Sequence, residues 1–218
     1  MHALAGRTRS AFVVAALALA AAPARAQLGG VNPFSFGVSG GLSVPTGDFS
    51  DAFGTGYNVD AFVGVRVPTL PVSFRFEGGY QEFGLKGSAK DRLRNADIEG
   101  DVKARIISGT ANLVYTIAPP ASVVRPYLIG GAGVYNLRTR GTGDVGDFLE
   151  EFVGTREEST TRLGLNGGVG VEVPLSGISV FGEARVHTIF TPSERDPESG
   201  DRVGGRTTIV PIKVGIRF

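Results

Sequence analysis

The chain of 218 residues has no cysteine and no tryptophan, one methionine and two histidines. Without cysteine, an exported disulfide scaffold is excluded. An excess of one charge is missing too. The whole sequence carries 22 Lys and Arg against 21 Asp and Glu, and three of those cations, Arg7, Arg9 and Arg25, fall in the first 26 residues. Beyond that segment 19 cations face 21 acids, so nothing argues for a nucleic-acid partner. Long apolar runs are also absent. The longest, Ala11 to Ala22, has twelve residues, well short of the roughly 20 that a membrane-spanning helix needs. The 33 glycines follow no Gly-X-Y period, which excludes collagen and leaves sharp turns and close strand packing as their use.

What stands at the N-terminus reads as an address. Arg7 and Arg9 precede the apolar run, and Ala24-Arg25-Ala26 supplies a small-x-small cleavage pattern. The expectation is a signal peptide over residues 1–26, with one domain over 27–218. His187 is then the only histidine of the mature chain.

The rest of the chain alternates with a period of two. Val210, Ile212, Val214, Ile216 and Phe218 share one face of the last segment, with Ile209, Pro211, Lys213, Gly215 and Arg217 on the other. That is the pattern of a strand with one greasy and one wet side. Seven earlier segments repeat it. Phe34, Phe36, Val38, Leu42 and Val44 oppose Ser35, Gly37, Ser39, Gly41 and Ser43. Tyr57, Val59, Ala61, Val63, Val65 and Val67 oppose Asn58, Asp60, Gly64 and Arg66. The third segment sets Val72, Phe74, Phe76 and Tyr80 against Ser73, Arg75, Glu77 and Gln81. Ile107, Ala111, Leu113, Tyr115 and Ile117 face away from Ser108, Thr110, Asn112 and Thr116 in the fourth. The sixth divides into Leu163, Leu165, Val169, Val171 and Val173 against Asn166 and Glu172, and the seventh into Ile178, Val180, Ala184 and Val186 against Ser179, Glu183, Arg185 and His187. Pro126 to Leu137 is glycine-rich, and there we turn Tyr127, Ile129 and Tyr135 outward.

Segments of about 10 to 12 residues approach the roughly 9 to 11 that a tilted strand needs to cross hydrocarbon. Connections alternate in length. Pro68 to Pro71, Ala118 to Val123 and Pro174 to Gly177 are short, whereas Pro45 to Gly56, Gly84 to Asp101, Arg138 to Thr160 and Phe190 to Arg206 are long and polar. Short turns at one end and long loops at the other, with an even strand number, fit a closed antiparallel barrel in an outer membrane.

On these residues, and on the run Pro126 to Gly133 and the terminal Phe218, the chain resembles the small eight-stranded outer-membrane barrels, the group of OmpX and the OmpA membrane domain. The resemblance implies an all-β, eight-stranded up-and-down transmembrane barrel in a bacterial outer membrane. Its partners would be outer-membrane lipid and lipopolysaccharide, an unidentified partner of the long loops, and the barrel-assembly machinery. The last of these would read Val210, Ile212, Val214, Ile216 and Phe218. A monomer without cofactor is expected. Nothing follows Phe218 in the sequence, so the cell-wall-binding domain of full-length OmpA is not expected.

The bore of an eight-stranded barrel is narrow enough for side chains to fill. Arg66, Arg75, Glu77, Glu172, Glu183, Arg185 and Lys213 all have wet-face parity, which predicts a polar network in the lumen. Glu183 and Lys213 should pair, with Arg185 and Glu77 in the same layer. Arg105 breaks the parity and is placed at the outer interface. The five tyrosines lie on the apolar set and suggest an interfacial girdle. Asp144, Asp147, Glu150, Glu151, Glu157 and Glu158 crowd the third long loop, where Asp147 to Val153 has the makings of a short amphipathic helix, but the spacing is no Ca²⁺ loop. His187 is the one candidate for catalysis. Its nearest same-face acid, Glu183, is about 13 Å away along a strand, beyond hydrogen-bond reach, and no serine occupies a nucleophile motif. An enzyme is therefore not expected. The expected role is structural or surface-interacting, carried by the long loops. Two alternatives stay open from sequence: a narrow pore for ions or small solutes, and a soluble lipocalin-like barrel in which the same alternation is turned inside out.

Overall fold

The computed structural model describes residues 33–68, 70–95, 100–119, 121–143, 157–191, 194–195, 202–203 and 205–218. The expected signal peptide and the acidic stretch 144–156 lie outside the described residues.

Among the described residues ten strands follow one another: β1 Phe34–Thr46, β2 Gly56–Arg66, β3 Val72–Gly84, β4 Gly100–Thr116, β5 Arg125–Gly143, β6 Glu157–Pro174, β7 Ser179–Phe190, β8 Glu194–Arg195, β9 Arg202–Val203 and β10 Arg206–Arg217. Strands β1 to β7 and β10 form a closed antiparallel barrel, while β8 and β9 make a two-stranded ribbon in the last long loop. Successive barrel strands pair with one another, β7 with β10 across the ribbon-bearing loop, and β10 closes the cylinder on β1 with Val44 opposite Val210 and Val38 opposite Ile216. Phe218 extends the seam, exchanging backbone hydrogen bonds of 2.7 and 3.1 Å with Phe36. Closure leaves no open edge in the barrel, the condition a bilayer imposes on a sheet.

The two faces have opposite chemistry. Phe74, Val171 and Val214 are 48%, 44% and 69% exposed, whereas Glu77 and Lys213 are 6% and 2% exposed. The apolar residues cover the outside and the ionised ones fill the inside. That is the reverse of a lipocalin and removes the soluble reading.

Two expectations are corrected and one feature was not anticipated. In β5 the outward set is Leu128, Gly130, Ala132 and Val134, while Tyr127, Ile129 and Tyr135 point inward and are buried. Both sets are apolar or small, so hydrophobicity alone does not fix the phase. The tyrosine hydroxyls do, because they find hydrogen-bond partners only in the lumen. An outer aromatic girdle is thus left with Tyr57, Tyr80 and Tyr115. Second, the strands outrun the alternating segments. β4, β5 and β6 have 17, 19 and 18 residues, and the β5–β6 ladder continues to Arg140 opposite Glu157, inside what the sequence marks as loop. Beyond the hydrocarbon neither face meets lipid, so the period fades while Thr-rich backbone pairing goes on. Third, the long loops contain helices α1 Phe49–Ala52 and α2 Gly87–Asn95. Among the short turns, the one joining β6 to β7 bends at Gly177, whose φ of 84° favours glycine.

Candidate functional site

The alternation that greases the outside delivers every second side chain to the lumen, where they stack in layers. At mid-height three cations and three carboxylates meet. Arg185 Nη2 donates to Glu77 Oε2 at 2.9 Å and its Nε to Glu183 Oε1 at 2.5 Å. Arg75 Nη1 lies 2.7 Å from Glu183 Oε2, which also accepts the Tyr127 hydroxyl at 2.7 Å. Lys213 Nζ sits 2.9 Å from Glu77, 3.1 Å from Asp60 and 3.5 Å from Glu183. The six charges cancel, which is what makes ions tolerable at this depth of burial.

Below this layer, toward the short turns, Arg75 is sandwiched among aromatic rings, its Cζ 4.3 Å from the Phe62 centroid and 5.5 Å from that of Phe181. The rings lie flat over glycines on adjacent strands. Any side chain at Gly37 would collide with Phe62, at Gly215 with Phe181, and at Gly170 with Tyr127. Above the charges, Asn58 donates to Ser43 and Ser43 to Gln81, at 3.1 and 2.9 Å. His187 meets the Tyr135 hydroxyl through Nδ1 at 3.1 Å. The long-loop end is then sealed by Phe83, Ala104, Ile106, Tyr135, Ile189 and Ile209, all buried, with Phe49 of α1 and Phe53 packed on top.

Of the seven residues singled out by sequence, Arg75, Glu77, Glu183, Arg185 and Lys213 converge in the central layer. Arg66 and Glu172 do not. They lie at the short-turn mouth, where Glu172 Oε1 accepts from Arg217 Nη2 at 2.5 Å. Val210, Ile212, Val214 and Ile216 lie on the outward face of β10, and Phe218, just past its end, is exposed at the same parity. Arg105 also faces outward, at the long-loop rim, and pairs at 2.8 Å with Glu82, which takes Lys103 at 3.3 Å and the Tyr80 hydroxyl at 2.7 Å. Sequence reasoning missed Asp60 as a member of the central cluster, although its parity was available. The apolar seal was missed as well. Its signal is an apolar residue at wet-face parity near the loop end of several strands: Phe83, Ile106, Ile189, Ile209.

A closed barrel, greasy outside and ionic inside, with short turns at one end and long loops at the other, is a membrane-spanning β-barrel. The chain belongs to the family described as outer membrane protein beta-barrel domain, whose model matches residues 12–218, and its place is a bacterial outer membrane. Two solved structures share the fold. Neisserial surface protein A is 16% identical with a TM-score of 0.54, covering 86% of this chain and 97% of that one. A major outer membrane protein from Thermus thermophilus is 16% identical with a TM-score of 0.54, over 86% of this chain and 99% of that one. No curated protein matches by sequence.

Proposed function

We propose that this barrel is a rigid, non-conducting scaffold whose long loops carry a structural or surface-interaction role. The observation supporting it is the filled lumen. A charge-balanced layer is capped at the loop end by Phe83, Ile106, Tyr135, Ile189 and Ile209, each at most 1% exposed. An ion entering there would have to leave its water for an apolar seal and then displace paired side chains. In the usual orientation the short turns and both strand termini are periplasmic and the long loops extracellular. The non-catalytic reading is supported by His187, which is buried beneath the seal rather than open to lipid. Cleavage after Ala26, recognition of Val210 to Phe218 by the assembly machinery, and contact of the outward Lys103 and Arg105 with lipopolysaccharide phosphates belong to the same reading. Planar-bilayer recording tests it. The refolded protein should give no steady single-channel conductance, and reproducible openings would overturn the sealed scaffold.

The narrow pore is favoured by one observation. Among the described residues, Asn58 Oδ1, Asn112 Oδ1, Arg185 Nη1 and His187 Nε2 are buried without a hydrogen-bond partner, a distribution that suits lumenal water. The seal outweighs it, because those atoms lie beneath Phe83 and Ile189.

A further inference from the structure

One corner of the central layer has a chemistry that ion pairing leaves unused. Lys213 Nζ lies 3.1 Å from Asp60 Oδ2 and 2.9 Å from Glu77 Oε1, and all three side chains are buried. A primary amine against one carboxyl, with a second carboxyl on the same nitrogen, has the parts of an amide-forming reaction: nucleophile, electrophile and proton carrier. Asp60 is positioned closely. It stands between Ser39 and Gly79 in the strand register, and any side chain at Gly79 would collide with Asp60 Oδ1, so the carboxyl rests on a strand that makes room for it. Lys213 belongs to β10 and Asp60 to β2, on either side of β1 and 153 residues apart in sequence.

We infer that Lys213 and Asp60 condense into an intramolecular isopeptide bond that staples β10 to β2 across the closing seam, with Glu77 carrying the proton. Glu77 is nearer to the amine, but it also holds Arg185 Nη2 at 2.9 Å, and Glu183 holds both arginines. Among the described residues the one ion pair of Asp60 is with Lys213, so Asp60 is the carboxyl that the layer can give up. Condensation there removes one cation and one anion together. Arg75 and Arg185 are left facing Glu77 and Glu183, still balanced and still paired. Burial favours the start of the reaction, because proton transfer from ammonium to carboxylate gives a neutral amine and a neutral acid, which are less costly to bury than ions. The nitrogen then attacks Asp60 Cγ. Glu77 accepts a proton from the nitrogen as the C–N bond forms and returns it to the departing oxygen as the C–O bond breaks. One water is released, Glu77 is restored, and nothing is oxidised or reduced. Groups fixed in contact react at effective concentrations of about 10⁵ M or more, which lets an amine and an acid combine without an activating group.

The test is intact-mass spectrometry of the full barrel, sampled in urea before folding and again, after denaturation, at intervals from refolding in detergent. The gel shift of unheated samples verifies folding. The unfolded chain should have the mass of its sequence, and the folded chain should become lighter by one water. Trypsin should then fail to cut after Lys213, and the segment ending at Arg66 should appear joined to Thr207–Arg217 in one branched peptide, with fragment ions placing the link between Asp60 and Lys213. Folded Lys213→Met and Asp60→Ala should keep their full masses, the outer-rim control Lys103→Gln should link as wild type does, and Glu77→Gln should slow the mass loss by about a hundredfold or more. Where a lumen variant does not fold, the wild-type branched peptide decides the matter alone. A folded wild type that keeps its full mass overturns the inference, as does a lost water located anywhere but between Asp60 and Lys213. Folded Glu77→Gln linking at the wild-type rate overturns the role given to Glu77.

Discussion

Replacing Lys213 with methionine removes one cation from the balanced layer and keeps most of the side-chain volume. Lys213 Nζ lies 2.9, 3.1 and 3.5 Å from oxygens of Glu77, Asp60 and Glu183. At an effective dielectric near 20, each such contact is a gross attraction of roughly 5 kcal/mol. Most of that only offsets the desolvation of the ions, and the net cost of leaving buried charge uncompensated is about 3 to 5 kcal/mol. The magnitude alone would not distinguish lost charge from lost packing. The double variant Lys213→Met/Asp60→Asn does, because two cations then face two carboxylates again. If charge balance governs the layer, the double variant should be more stable than the sum of the singles predicts, by about 1 to 3 kcal/mol of coupling. The chain has no tryptophan, so urea unfolding from lipid vesicles is best followed by far-ultraviolet circular dichroism and by the gel shift of unheated samples. Additivity within about 0.5 kcal/mol would refute the reasoning.

Other perturbations address the outside, the seal and the ring-on-glycine packing. Ile212→Arg, on the lipid face near the middle of β10, should cost about 2 to 4 kcal/mol in vesicles, and Phe190→Arg at the long-loop end of β7 about 1 or less; equal costs would contradict the depth assigned to them. Phe83→Ala opens the seal and should lose about 3 to 5 kcal/mol, measured by the same urea titration. Gly170→Ala should cost about 1 to 3 kcal/mol by forcing the Tyr127 ring off the β6 backbone, and an unchanged unfolding midpoint would show that the ring moves freely.

The fold was legible because a membrane barrel writes its two solvents into alternate residues. On β3, Phe74 and Phe76 interleave with Arg75 and Glu77, and no other arrangement keeps both sets content. β5 was illegible for the complementary reason. With Tyr127, Ile129 and Tyr135 at one parity and Leu128 and Val134 at the other, separated by glycine and alanine, transfer energy hardly prefers either face. Strand ends were illegible because backbone pairing does not need lipid, so the ladder runs past the last alternating residue. Inside the lumen, parity indicates which charges face inward but not their height. Arg66 shares the parity of Asp60 yet stands at the mouth, and only the stagger of the closed register separates them. The seal is harder still to read, since Ile106 or Ile209 at wet-face parity looks like noise until Phe83 and Ile189 are known to meet them.

The least informative stretch by composition explains how so narrow a bore holds so many long side chains. The inward face of β1 is Ser35, Gly37, Ser39, Gly41 and Ser43, so that strand contributes no bulk. Its neighbours overlay it. Phe62 of β2 covers Gly37, and Asp60 of β2 reaches Lys213 of β10 across the seam, over a sequence separation of 153 residues. The ion network thus ties β2 and β3 to β7 and β10, the strands that must come together when the cylinder closes, and the serine–glycine strip between them provides the clearance. Ser39 lies opposite Asp60 on one side and Gly215 on the other, with its hydroxyl unpaired in the described structure. Ser39→Ala should therefore change stability by less than about 1 kcal/mol. Ser39→Leu places a branched side chain where Lys213 and Asp60 meet, and should cost about 1 to 3 kcal/mol and slow folding into vesicles, because closure of the seam is the step it obstructs. Ser39→Leu folding as fast and as stably as Ser39→Ala would mean that the ions do not need the clearance, and that glycine and serine on β1 serve some other end.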